Sequence, residues 1–344
     1  MRIIDLHQDV ALNSLYSTGK DITKTYSLHQ GSNNAGFAVN NNTDIPRLKK
    51  GNVKLIFSTI FSLDNKSIEM LAKESPENYN FNKVFKIKSG LAGALEQYSY
   101  YFDIFSKSKD LVHVKSKKNY LSLKSSKKIG FLIHLEGIDY FGNSLDFLDA
   151  SFELGARSIA LTWRNQNAFA SGNSTTGGLT YLGKKIIKKI KAKKMIFDLA
   201  HANKKTFWDA MKIVDFPVIV SHSLCQAIVD NSRNIDDDQI KAVAKTGGLV
   251  GLAVIPDYIG GDKISDYIKH FVHISDLVGV NHVAFGTDFD GLIDKEDRFI
   301  KNFEDVSKYN NVLKGFKKAG FTNKDIEKFT HENVERVILQ ILPQ

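Results

Sequence analysis

Cysteine is all but missing from the 344-residue chain: Cys225 stands alone. No intrachain disulfide can form, which fits a reducing compartment. Proline is scarce too, at 5 residues, and no Pro/Ser/Gly-rich linker divides the sequence. One domain spanning residues 1–344 is therefore expected rather than two. No apolar run is long enough to cross a bilayer, and no apolar leader precedes Ile3-Ile4, since only Met1-Arg2 stand before it. A cytoplasmic location without a membrane partner is the expectation. A concentrated patch of one charge is also lacking. The net charge of +9 would suit nucleic acid, but the lysines are dispersed and no recognition motif accompanies them. The densest run, Lys184 to Lys194, is interleaved with Ile186, Ile187 and Ile190. Helical spacing puts those isoleucines on one face and most lysines on the other, a solvated helix surface before it is a nucleic-acid site.

What the chain does have is a series of short apolar runs with helical segments between them. Ile3-Ile4 is the first. Val53 to Phe61, Ile129 to Leu135, Ser158 to Thr162, Met195 to Leu199, Val218 to Val220, Leu249 to Ile255 and His282 to Phe285 follow. Repeated βα units imply a parallel sheet, and eight imply a closed (β/α)8 barrel. Between them, Asp44 with Pro46 and Gly51 marks a short helix. A polar loop reaches about Asn42 and has the length of a site cover. Residues 64 to 128 read as mostly helical and charged, with Leu91, Leu95, Tyr98, Phe102 and Phe105 as a buried stripe and Lys115 to Lys128 exposed. Thr322 caps a closing helix. Cys225 reads as a small buried residue near the site rather than a reactive thiol.

Barrel enzymes carry their sites at the carboxyl ends of the strands. Those ends hold His7, Asp9, Glu136, His201, His222 and Asp288. His7 and Asp9 are two apart and share a strand face, as do His134 and Glu136. A His and an Asp at that spacing are by themselves usually an ordinary strand end. Scattered buried polar residues would account for one or two such positions, but poorly for five converging strand ends. One catalytic zinc keeps three protein ligands and an open position, so the set fits two metals sharing Glu136, with Asp288 left to hold and move a proton.

In order and spacing, His7-Gln8-Asp9, Glu136-Gly137, His201, His222-Ser223, Arg233-Asn234 and the run Gly286-Thr287-Asp288-Phe289-Asp290-Gly291 resemble the membrane (renal) dipeptidase family. The stretch Asp44 to Gly51 resembles it as well, so the likeness covers nearly the whole chain. The resemblance implies a soluble, bacterial-type member: a metal-dependent hydrolase barrel that cleaves dipeptides through a water or hydroxide bridging two Zn2+ ions. By that analogy His7 and Asp9 hold one zinc, His201 and His222 the other, and Glu136 bridges. Asp288 handles the proton and Arg233 binds the substrate carboxylate, for which a guanidinium fork is well shaped; without the likeness, Arg233 would read as a surface salt bridge. The chain departs from the family where a substrate-contacting histidine becomes Trp163, its neighbouring asparagine becomes Arg164, and a tyrosine near the end of strand seven becomes Ile255. Trp163 is then a substrate-facing wall. The implied partner is a small dipeptide, with a homodimer allowed.

Three other readings stay open at this stage. One is another two-metal amidohydrolase acting on lactones, phosphoesters or cyclic amides, although such relatives usually begin with His-x-His and bridge with a modified lysine. The second is a catalytically impaired metal-binding relative. The third, suggested by charge alone, is a nucleic-acid binder.

Overall fold

A computed structural model describes residues 1–32, 38–65, 69, 89–291 and 299–344. Eight parallel strands close into a barrel. They are β1 (Ile3–Gln8), β4 (Val53–Ile60), β6 (Ile129–Glu136), β7 (Ala156–Ala160), β8 (Ile196–Asp198), β9 (Val218–Ser223), β10 (Leu249–Leu252) and β11 (Val283–Phe285). The order β4-β1-β11-β10-β9-β8-β7-β6 returns to β4 through a β4–β6 ladder from Leu55↔Gly130 to Ile60↔Leu135. All eight expected strands are present. Their side chains are buried almost without exception, because one face fills the barrel and the other meets the helices, so they read as continuous apolar runs rather than alternating ones.

Three further strands lie among the described residues. β2 (His29–Ser32) and β3 (Ala38–Asn40) pair antiparallel within the loop expected to be polar and irregular. β5 (Leu111–His113) runs parallel to the start of β6, outside the barrel. It lies in the stretch expected to be mostly helical; residues 66–68 and 70–88 of that stretch lie outside the described residues.

The helix Gly90–Lys107 corrects the expected stripe. Leu91, Leu95 and Phe102 are exposed, and the buried face is Ala94, Gln97, Tyr98, Tyr101 and Ile104. A polar pairing sets this rotation. The Gln97 amide accepts from Phe61 N at 2.9 Å and donates to Phe61 O at 2.6 Å, just past β4. The Tyr101 hydroxyl donates to Thr59 O at 2.8 Å. Two buried backbone groups and a phenol are thereby satisfied, an outcome that apolar periodicity does not encode. The basic helix Tyr181–Ala192 buries Ile186, Ile187 and Ile190 as expected. Asp44 caps its helix by accepting from Arg47 N at 2.7 Å, and Thr322 caps Asn323–Glu327. Within Lys115–Lys128, Tyr120 and Leu123 are buried although the lysines around them are exposed. Cys225 is buried, and burial pushes its thiol up, the environment of a small core residue rather than of an activated thiolate. No described helix is long and apolar enough to cross a membrane.

Candidate metal centre

β1 delivers His7 at its carboxyl end and Asp9 one residue beyond it. The backbone locks against the segment after β11: Asp288 N donates to His7 O at 3.1 Å and Asp9 N to Phe289 O at 3.0 Å. Asp5, fully buried beneath them, fixes this junction. It accepts from Gln8 Nε2 (2.7 Å), Thr287 N (2.9 Å), Thr287 Oγ1 (2.5 Å) and the Tyr309 hydroxyl (2.6 Å). His201 follows β8 and Asp288 follows β11, both with left-handed backbones, φ 62° and 63°. Non-glycine residues rarely adopt that conformation, and it concentrates at functional sites.

The six expected side chains converge. His7 Nε2 lies 3.5 Å from Asp9 Oδ2, 3.3 Å from Glu136 Oε2 and 3.8 Å from Asp288 Oδ1. His201 Nε2 lies 2.9 Å from Glu136 Oε1 and 2.8 Å from His222 Nε2, which is 3.5 Å from the same carboxylate oxygen. The two oxygens of Glu136 thus face two different groups. Three sets bring their donor atoms within 4.8 Å of one another: His7, Asp9 and Glu136; Glu136, His201 and His222; and His7, His222 and Asp288.

These donors fit metal ions. His7 Nε2 is buried with no hydrogen-bond partner among the described residues, an uncommon state for a polar atom. Its neighbours at 3.3–3.5 Å are far for hydrogen bonds, yet two ligands each about 2.1 Å from one tetrahedral ion sit about 3.4 Å apart. The cradle is also shaped by Gly291, where a Cβ would fall 2.3 Å from Asp9 Oδ2 and 2.5 Å from Asp288 Oδ1. Imidazole with carboxylate suits zinc and its first-row neighbours.

Without an ion the cluster is electrostatically strained. Burial pushes the Asp288 carboxyl well above its ordinary range, relieved in part by His7 and worsened by Asp9 and Glu136. Burial raises Glu136 as well, against the pull of His7. Burial disfavours a charge on His7, but Glu136 and Asp9 together overturn this and hold it well above the usual histidine range. His201 and His222 are pushed well below that range, first by burial, and so stay neutral as metal ligands must.

The cluster floors a cavity of about 490 Å³. Arg233 lines it, donates from Nη2 to His222 O at 3.1 Å, and is close enough to lower the pKa values of Glu136 and Asp288. Trp163 forms a wall, its ring 5.0 Å from Phe61 and 6.0 Å from His201. Arg164 and Ile255 also face the cavity, with the Arg164 guanidinium 5.6 Å from the Trp163 ring. Phe61, Leu12 and Tyr258 line it too. Sequence reasoning assigned them nothing: Tyr258 follows Ile255 by one helical turn, a spacing that could have flagged it. Asp198 and Ser221, hydrogen-bonded behind His222, were likewise assigned nothing. A larger groove of about 860 Å³, between helices Ile264–Val278 and Tyr309–Lys318, holds none of the converging groups.

The comparisons agree with this geometry. The profile of the membrane dipeptidase family, peptidase family M19, matches residues 1–342. Dipeptidase tcpJ of Claviceps purpurea is 26% identical over 306 residues, 87% of this chain and 69% of that protein. The uncharacterized dipeptidase C965.12 of Schizosaccharomyces pombe is 33% identical over 228 residues, 63% of this chain and 54% of that protein. Among solved structures, a metallo peptidase from Rhodobacter sphaeroides bound to a phosphinate mimic of the dipeptide L-Ala-D-Ala shares the fold with a TM-score of 0.81, at 21% identity over 99% of both chains. The probable dipeptidase PvdM from Pseudomonas aeruginosa gives 0.80 at 15% identity, over 99% of this chain and 95% of that one. Matched by the family profile over nearly its whole length, the chain belongs to the membrane dipeptidase family, peptidase family M19, and is a metallodipeptidase.

Proposed function

We propose that the chain hydrolyses the peptide bond of free dipeptides at two zinc ions that share Glu136. The observation that carries the reading is the split carboxylate: Glu136 Oε2 faces His7 at 3.3 Å while Oε1 faces His201 at 2.9 Å. His7 and Asp9 would hold one ion and His201 and His222 the other. When bound, such a pair makes a water nucleophilic near neutral pH and polarises the scissile carbonyl.

The chain's own groups do the rest. Asp288, poised at the cavity floor with its proton affinity raised by burial, takes the water's proton and returns it to the leaving amine. Arg233, on the cavity wall, receives the substrate's terminal carboxylate, and its planar fork suits two parallel hydrogen bonds. Trp163 and Phe61 exclude water on one side and offer an apolar face to a side chain. A cavity of about 490 Å³ suits a small peptide. The dipeptide mimic bound by the Rhodobacter sphaeroides relative supports the same class here.

The test compares one dipeptide with its C-terminal amide, a tripeptide, a lactone and a phosphoester, in wild type and Arg233→Ala. Wild type should strongly prefer the free dipeptide. Arg233→Ala should lose mainly kcat/KM on that substrate, closing the gap to the amide. An equal loss on both would remove Arg233 as the carboxylate clamp. Turnover of the lactone or phosphoester above the dipeptide would overturn the reading.

A further inference from the structure

Behind the metal-facing nitrogens lies a hydrogen-bonded relay that no family motif above includes. Asp198 ends β8 and is buried, 1% exposed; Ser221 on β9 and His134 on β6 are fully buried. Asp198 Oδ1 accepts from the backbone N–H groups of Ala200 (2.9 Å) and Ser221 (2.8 Å). These two backbone donors fix the orientation of the carboxyl group. Its other oxygen, Oδ2, accepts the Ser221 hydroxyl proton, at 2.5 Å. A hydroxyl has only one proton to give, so towards its remaining neighbours Ser221 Oγ is an acceptor. Those neighbours are His222 Nδ1 at 2.8 Å and His7 Nδ1 at 3.5 Å. The 2.8 Å bond puts the His222 proton on Nδ1, and the longer 3.5 Å contact favours a proton there in His7 too, leaving Nε2 of each ring to face the metal cluster.

We propose that Asp198 and Ser221 form one shared positioning unit for the histidines of both metal sites. Acting through His7 and His222, the unit fixes their tautomers so that both Nε2 atoms are ready to ligate. His134 buttresses it from behind, with Nε2 3.4 Å from Asp198 Oδ2 and Nδ1 2.9 Å from Ser158 Oγ. The inference rests on His7 and His222 being ligands of two ions, and goes beyond that reading in making one serine serve both.

Asp198→Asn is the informative change because it keeps the shape and reverses the polarity. Oδ1 would still accept the two backbone donors, so the new amide nitrogen would donate to Ser221 Oγ. The serine would then turn its proton on His222 Nδ1 and push that ring to the Nε2–H tautomer, which cannot ligate through Nε2. Histidine-selective nitrogen-15 NMR on the chelator-treated protein reads this directly. Wild type should show His222 protonated on Nδ1, and Asp198→Asn should show it on Nε2. Zinc affinity by chelator competition should fall about 10–100-fold in Asp198→Asn, and the visible spectrum of the Co2+-loaded protein should change. Ser221→Ala should weaken both ions, and it carries the test if Asp198→Asn does not fold. A packing role alone would lower the melting temperature of the metal-free protein without changing tautomer or affinity. Wild-type tautomers and wild-type affinity in folded variants would overturn the relay alone. A wild-type protein that holds fewer than two ions would overturn the underlying reading and the relay with it.

Discussion

At the scale of the residue, one carboxylate of the centre stands apart from the others. Asp9 and Glu136 lie against histidine nitrogens with side chains almost fully buried, whereas the Asp288 side chain is 15% exposed and 3.8 Å from His7. It is the most exposed of the three, and burial still holds its pKa well above the ordinary carboxylate range. Its left-handed backbone aims it at the cavity, and Gly291 leaves it the space. Asp288→Asn should therefore retain both metals but lose about 10²–10⁴-fold in kcat, the usual contribution of a general acid–base group. Elemental analysis beside steady-state kinetics checks this. Near wild-type turnover in a metal-loaded variant would take Asp288 out of the proton path.

At the scale of the element, strand ends must be held together before their side chains can cooperate. Asp5 does this for β1 and β11, accepting from both strands' neighbourhoods and from Tyr309. Asp5→Ala would strand several buried donors, each costing roughly 1–3 kcal/mol. The metal-free variant should melt well below wild type and bind metal poorly; an unchanged denaturation midpoint would show that the junction does not depend on Asp5. The eight barrel strands were legible in the sequence because each is a mainly apolar run, and five of them lead into an ionisable residue. His7, Asp9, Glu136, His201, His222 and Asp288 were legible because those residues fall at the ends. Other features left no such mark. β5 is three residues long, shorter than any periodicity can register. The rotation of Gly90–Lys107 follows from Gln97, a polar residue whose burial is set by Phe61 across the fold. Asp198, Ser221 and Asp5 are polar residues inside apolar strands, and only the barrel's closure reveals which ligands they face. Tyr258 reaches the cavity by a short helix, Pro256–Ile259, that begins where the expected strand Leu249 to Ile255 stops.

At the scale of the whole molecule, the barrel holds together a charge cluster that favours an ion over protons. In the metal-free protein Glu136 and Asp288 have raised pKa values through burial, and His7 is raised by Glu136 and Asp9 against burial. Raised groups bind more protons folded than unfolded, so each takes stability away as pH climbs past its unfolded value, from about 4 for the carboxyls and about 6.5 for His7. His201 and His222, lowered by burial, act in the opposite sense and take stability away as pH falls below about 6.5. A bound ion requires all these groups deprotonated and neutralises the carboxylates. The Tm gap between metal-loaded and chelator-treated protein should therefore widen from about pH 5 to about pH 8, as differential scanning calorimetry would record; a gap that is flat or narrows would contradict this balance. The central claim is that Glu136 joins two ions, and anomalous diffraction at the zinc edge from zinc-loaded crystals tests it most directly. The account expects two peaks about 3.5–4 Å apart, one beside His7 and Asp9, one beside His201 and His222, with Glu136 between them. A single peak in a fully loaded crystal, with His201 and His222 uncoordinated, would contradict it.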